Sequence, residues 1–135
     1  PDSAHRSHPA TNAIDGDLKT IWHTEWEPSP APMPHWLTLD LGQTQQIRGI
    51  RYVPRQDMSN GRIAEYAIHV SDDGEDWRSV VKSATMASGK KPVTVQFSKP
   101  CSARYLKLTA HREVNGKPFA AVAEVDVLLS DLETP

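Results

Sequence analysis

Within residues 12–26, Asn-Ala-Ile-Asp-Gly-Asp-Leu-Lys-Thr-Ile-Trp-His-Thr-Glu-Trp, three oxygen-bearing side chains stand close together: Asp15, Asp17 and Thr20. Gly16, between the two acids, permits a tight turn. Two carboxylates and a hydroxyl on one short loop suit a hard cation, which takes about six to eight oxygen ligands. An EF-hand is excluded, because its fifth position would fall on Lys19 and its sixth, where glycine is needed, on Thr20. Directly afterwards come Trp22, His23, Thr24, Glu25 and Trp26, which combine two aromatic faces with an imidazole that donates or accepts near neutral pH. A loop-fixing segment thus runs straight into a candidate recognition segment. The plain alternative is a surface turn followed by core tryptophans, and for Trp22 the core is the expected place.

No familiar catalytic pattern accompanies these residues. G-x-S-x-G, H-E-x-x-H, G-x-G-x-x-G and the P-loop are all missing, and Cys101 has no activating context. A pair of carboxylates suited to glycoside hydrolysis is defined by distance in space rather than in sequence, so catalysis survives only by default. With 135 residues the chain is the size of one domain, which buries roughly two-thirds of its unfolded surface. A net charge of −2 without a basic stripe argues against nucleic acid as a partner. No apolar run approaches the length, about eighteen residues, that spans a membrane. Cys101 is the one cysteine, so no internal disulfide forms and the redox compartment stays open. The opening Pro1-Asp2-Ser3, without a signal segment, reads as a mature or excised domain.

The elements that must position the chemistry read as strands. Leu37, Leu39 and Leu41 alternate with Trp36, Thr38 and Asp40, and a β-rich run from Ile47 to Val53 ends at Pro54. Tyr66, Ile68 and Val70 face inward opposite Glu65 and His69; Val93, Val95 and Phe97, Leu106 with Leu108, and Val125, Val127 and Leu129 repeat the period of two. Asn60-Gly61, Asp73-Gly74 and Asn115-Gly116 mark turns. No apolar set at helical spacing is long enough for a packed helix. This pattern predicts an all-β antiparallel sandwich. Residues 1–11, with His5 and His8, read as a solvated terminus, and the alternating prolines of residues 27–34 as an extended surface loop.

Several phrases combine into a recognisable whole: A-I-D-G-D-x-x-T-x-W, L-T-L-D-L-G at residues 37–42 and Y-V-P-R-Q-D at 52–57. S-D-D-G-E-D-W at 71–77, A-R-Y-L-K-L at 103–108 and A-E-V at 123–125 follow in order. Together they resemble the discoidin-like, coagulation factor 5/8 C-terminal domains over about residues 9–129, and within them the family 32 carbohydrate-binding modules of bacterial glycan-degrading enzymes. The resemblance implies a jelly-roll sandwich of about eight main strands with ligand loops at one end. It implies a single non-catalytic module, excised from a larger protein, monomeric and extracytoplasmic. A structural calcium ion is expected on the side chains of Asp15, Asp17, Thr20 and Glu124 and the backbone carbonyls of Asn12, Thr20 and Ala123. The sugar site of galactose-binding members is similar to the set His23, Trp26, Arg55, Asn60 and Phe119. That implies terminal galactose or N-acetylgalactosamine as ligand and a glycan-active catalytic domain in cis. Arg55 supplies a rigid donor fork, His23 and Asn60 donate or accept, and Trp26 or Phe119 packs against the C–H face of the ring. Arg55 has a second reading as a partner of Asp57 alone, and Asn60 as a turn residue. The same superfamily also contains membrane-phospholipid and protein adhesion domains, against which stand the many polar groups in these loops and the missing disulfide.

Overall fold

The computed structural model describes residues 1–25 and 32–130. Trp26 and the greater part of the proline-rich loop lie outside the described residues. Among the described residues seven strand segments are present: β1 (Trp22–His23), β2 (His35–Val53), β3 (Ile63–Ser71), β4 (Trp77–Thr85), β5 (Val93–Glu113), β6 (Ala121–Val122) and β7 (Glu124–Leu129). Among the described residues the one helical element is a 3-10 turn at Ala10–Ile14. The strands form a five-stranded sheet in the order β4-β3-β5-β2-β7 and a two-stranded sheet of β1 and β6. Every pairing is antiparallel.

The two long strands carry the architecture. β2 pairs β5 from His35↔Ala110 to Asp40↔Tyr105, from Gln45↔Ala103 to Ile47↔Cys101 and from Gly49↔Gln96 to Tyr52↔Val93, with a break in register between successive stretches. Such breaks add local twist and let a strand wrap round a core instead of running flat. At Gly49 the ladder admits no side chain, since a Cβ there would lie 2.1 Å from the carbonyl oxygen of Val95. β3 then covers one side of β5, and the second half of β2 takes β7 on its free edge.

The inward alternation is where the sequence placed it except at the end of β7, where Leu129 is exposed. Leu37, Ile47, Ile50, Tyr52, Ile68, Val70, Leu106 and Leu108 are buried, and Trp22 packs among them at 1% exposure. Full burial of a side chain of this size contributes about 1.5–3 kcal/mol. β4 escaped the alternation rule. Its W-R-S-V-V-K-S-A-T run places two valines side by side, and its pairing with β3 slips register on either side of Ile68. An edge strand with bulges has no strict period for a sequence to display.

Candidate functional site

The β2–β3 loop, the β5–β6 loop and β1 meet at one end of the fold. There, His23, Arg55, Met58, Asn60 and Phe119 line a cavity of about 220 Å3. Four of the five residues expected at a sugar site are therefore brought together; the fifth, Trp26, lies outside the described residues. Met58, which had no expected role at the sugar site, joins them; the signal was an apolar residue in the same loop as Arg55 and Asn60, and in the structure it is 46% exposed.

His23 presents a defined hydrogen-bonding face. Its Nδ1 lies 2.6 Å from the carbonyl oxygen of Thr24. A carbonyl only accepts, so Nδ1 carries the proton and Nε2 is an acceptor. Burial lowers the pKa of the ring to about 4; the Thr24 carbonyl opposes this, while Arg55, His8 and His5 add to the fall. The imidazole is neutral at physiological pH, and the Phe119 ring stands 5.4 Å away between centroids.

Arg55 is held on two sides. Its Nε donates to Asp57 Oδ1 at 2.7 Å and its Nη1 to the Asn60 carbonyl at 3.3 Å. The Asp57 carboxyl is held below its usual range, chiefly by this guanidinium. Only 14% of the Arg55 side chain is exposed, against 67% of Asp57. The sequence reading of Arg55 as a partner of Asp57 holds, and the pairing leaves the side chain on the cavity wall. Arg62 fixes the backbone behind it, donating to the Arg55 carbonyl at 2.9 Å.

Sequence reasoning missed the residue that ties the loops together. Glu113, with 0% exposure, accepts the backbone N–H groups of Gly61 at 2.8 Å, Asn115 at 2.7 Å and Lys117 at 3.0 Å. One buried carboxylate therefore joins the turn bearing Asn60 to the loop bearing Phe119. The available signal was an acid at the end of a long strand, just before Asn115-Gly116. Gly61 sits at φ +88° with the Ala121 Cβ 2.7 Å from where its own would be, so no other residue fits between these loops. Two more clamps hold the Phe119 loop. Thr24 Oγ1 accepts from Ala120 N–H at 3.1 Å, and His35 Nε2 donates to the Pro118 carbonyl at 3.0 Å.

The N-terminal segment corrects the expectation of a solvated tail. His5 is buried, and its N–H donates to the His23 carbonyl at 2.8 Å; His23 N–H donates in turn to the His8 carbonyl at 3.2 Å. The His5 and His8 rings lie 5.6 Å apart, and His8 lies 6.3 Å from His23. The cause is pairing: Trp36 N–H donates to Asp2 Oδ1, Trp22 Nε1 to the Ser3 carbonyl and Glu25 N–H to Ser3 Oγ. Polar residues that carry so many bonds form a strap behind the cavity.

The acidic loop folds on itself. Asp15 accepts from the Thr20 hydroxyl and from Asp17 N–H, and Asp17 accepts from Lys19 N–H at 2.9 Å. The far end of the chain closes on it, with Gly16 N–H donating to Glu124 Oε1 at 3.1 Å. Glu124 is buried; that burial raises its pKa, against the pull of the Gly16 bond, and the carboxylates of Asp126 and Asp15 raise it further. An oxygen-only donor set in which carboxylates crowd one another fits a hard cation by its chemistry. Among the described residues, no three His, Cys, Asp or Glu side chains already converge as a metal cluster. Asp17 is turned to Lys19, Ala123 N–H donates to the Val53 carbonyl, and the Asn12 side chain donates to the Ile21 carbonyl.

With this geometry in place, the chain can be set beside known proteins. The model of the F5/8 type C domain matches residues 2–125. A sialidase from Micromonospora viridifaciens is 39% identical over 127 residues, covering 93% of this chain and 20% of that protein. Galactose oxidase from Gibberella zeae is 36% identical over 129 residues, covering 93% of this chain and 19% of its own length. The chain thus spans about one fifth of these curated relatives. Two solved structures from Clostridium perfringens superpose closely. A family 32 carbohydrate-binding module in complex with galactose has TM-score 0.83 at 35% identity, covering 93% of this chain and 88% of that one. A module in complex with GalNAc-β-1,3-galactose has TM-score 0.84 at 34% identity, covering 93% and 90%. The chain belongs to the F5/8 type C domain family, among the family 32 carbohydrate-binding modules, and is a binding module rather than an enzyme.

Proposed function

We propose that the module binds glycans ending in galactose or N-acetylgalactosamine through His23, Arg55, Asn60 and Phe119, with Trp26 completing the set. The observation that carries this reading is the convergence of those four described side chains on one cavity. An acceptor at His23 Nε2 and a donor fork at Arg55 are fixed before any ligand arrives, so little ordering is lost on binding. Galactose has an axial 4-hydroxyl, and polar groups arranged round it penalise the equatorial epimer twice. The epimer loses its own bonds, and the largely buried fork is left short of a partner. The two C. perfringens complexes support the same class of ligand. A shallow site of three or four polar contacts nets about −4 to −6 kcal/mol, a millimolar to tens-of-micromolar constant. Such affinity suffices for a module that tethers an appended glycan-degrading domain outside the cytoplasm, because tethering works through effective concentration. A calcium ion held by Asp15, Asp17, Thr20 and Glu124 with the carbonyls of Asn12, Thr20 and Ala123 serves structure, joining the first loop to β7. Titration calorimetry with galactose and glucose tests the sugar reading. Galactose should bind at least about tenfold more tightly, roughly 1.4 kcal/mol, and Arg55→Ala should remove binding. Equal affinity for the two epimers, or an Arg55→Ala variant that binds like the parent, sinks it.

A further inference from the structure

A second cavity, of about 260 Å3, is lined by Leu18, Lys19, Ile21, Gln56 and Asp57. It shares a wall with the first. Arg55 and Met58 face one cavity while Gln56 and Asp57, between them in the chain, face the other. The Arg55–Asp57 ion pair, 2.7 Å long, spans that wall. Two residues of backbone extend at most about 7 Å, so the wall that divides the cavities is no thicker than the scale of a sugar ring and its linkage.

The lining has the composition that a pyranose requires. Leu18, 46% exposed, and Ile21 offer an apolar surface to C–H groups. Lys19 brings a donor on a flexible stem, its backbone N–H being tied to Asp17 Oδ1 at 2.9 Å. The Gln56 amide nitrogen is spent on the carbonyls of Pro54 at 2.6 Å and Lys90 at 2.9 Å, which fixes the amide plane and leaves its oxygen to accept. Asp57 holds Arg55 tightly through Oδ1 but only at 3.4 Å through Oδ2, so a second acceptor is at hand.

We propose that this cavity is a subsite for the sugar unit next to the terminal one, a neutral hexose or N-acetylhexosamine. The module then reads a galactose-ended oligosaccharide instead of a single residue. This rests on the terminal-galactose reading above and adds to it a second point of contact.

Calorimetry in calcium-containing buffer would compare methyl β-galactoside with lacto-N-neotetraose, a galactose-ended tetrasaccharide. The parent should bind the tetrasaccharide about tenfold more tightly. Lys19→Ala and, separately, Leu18→Ala should erase that gain and leave methyl β-galactoside binding unchanged. Equal affinity of the parent for both ligands overturns the subsite and spares the terminal site. So does a variant that weakens both ligands by the same factor. Absence of methyl β-galactoside binding overturns both readings together.

Discussion

A ring whose acid–base behaviour is set by burial gives the site a distinctive pH response. His23 takes up a proton near 6.5 when unfolded but only near about 4 when folded. Between those values the unfolded chain binds more protons, so stability falls as pH drops through that window. Under the proposed function, sugar binding should follow the folded value instead, for Nε2 stays an acceptor until the ring itself is protonated beside Arg55. Affinity for galactose should therefore hold from pH 7 to about 5.5 and decline towards about 4, while the melting temperature already falls below pH 6.5. Calorimetry and thermal melts at pH 7, 5.5 and 4 separate the curves; an affinity midpoint near 6.5 contradicts the buried, neutral ring. In the proposed site Phe119 would act differently, since a face reads shape less selectively than donors do. Phe119→Ala should weaken galactose and glucose by a similar factor, measurable in the same titrations.

Strands deliver side chains to the end of the sandwich, but the loops there need a reason to stay together, and Glu113 is that reason. Its three backbone partners include the residue after Asn60 and two residues of the Phe119 loop. Glu113→Gln sets an amide N–H2 against a backbone N–H and leaves a buried donor unpaired, at a cost of about 1–3 kcal/mol. Urea unfolding should show that loss in the midpoint with an unchanged slope. Affinity for galactose should fall as well, at temperatures where the variant is fully folded. In a double-mutant cycle with Phe119→Ala the two losses should not add, because both act through one placement. Additive effects on binding would reduce Glu113 to a stabilising residue without a hand in the site.

At the scale of the molecule, closure is made between distant parts of the chain. The strap of residues 1–8 crosses behind the cavity, and Glu124 on β7 reaches the Asp15–Thr20 loop through Gly16. With Cys101 as its one cysteine the chain has no disulfide to make such a closure. An ion that binds only the native state raises stability by mass action. Chelation should accordingly lower the melting temperature, and Asp17→Ala should abolish the difference between chelated and calcium-loaded samples. Galactose affinity should change far less than stability, since the loop and the sugar cavity use different side chains. Identical melting curves with and without chelator count against the ion.

The period-two alternation of Leu37, Tyr66, Ile68, Val70, Leu106 and Leu108 announced an all-β fold, because burial on one face of a pleated strand requires it. Glycines after Asn60, Asp73 and Asn115 announced the turns, since all three take positive φ. Motif order singled out His23, Arg55, Asn60 and Phe119, which the fold places on one cavity. Their meeting in one cavity is a tertiary fact, produced by the β1–β6 pairing and by the bonds converging on Glu113. Glu113 itself looked like a polar residue at a strand end, for its worth lies in three N–H groups that no spacing rule locates. The strap that carries buried His5 and half-buried His8 was hidden for the same reason, its polar residues being satisfied by partners far along the chain. Alternation and turns are local consequences of backbone geometry, and a sequence displays them. Burial of a charge or an imidazole depends on which distant groups arrive to pair with it, and only the folded chain decides that.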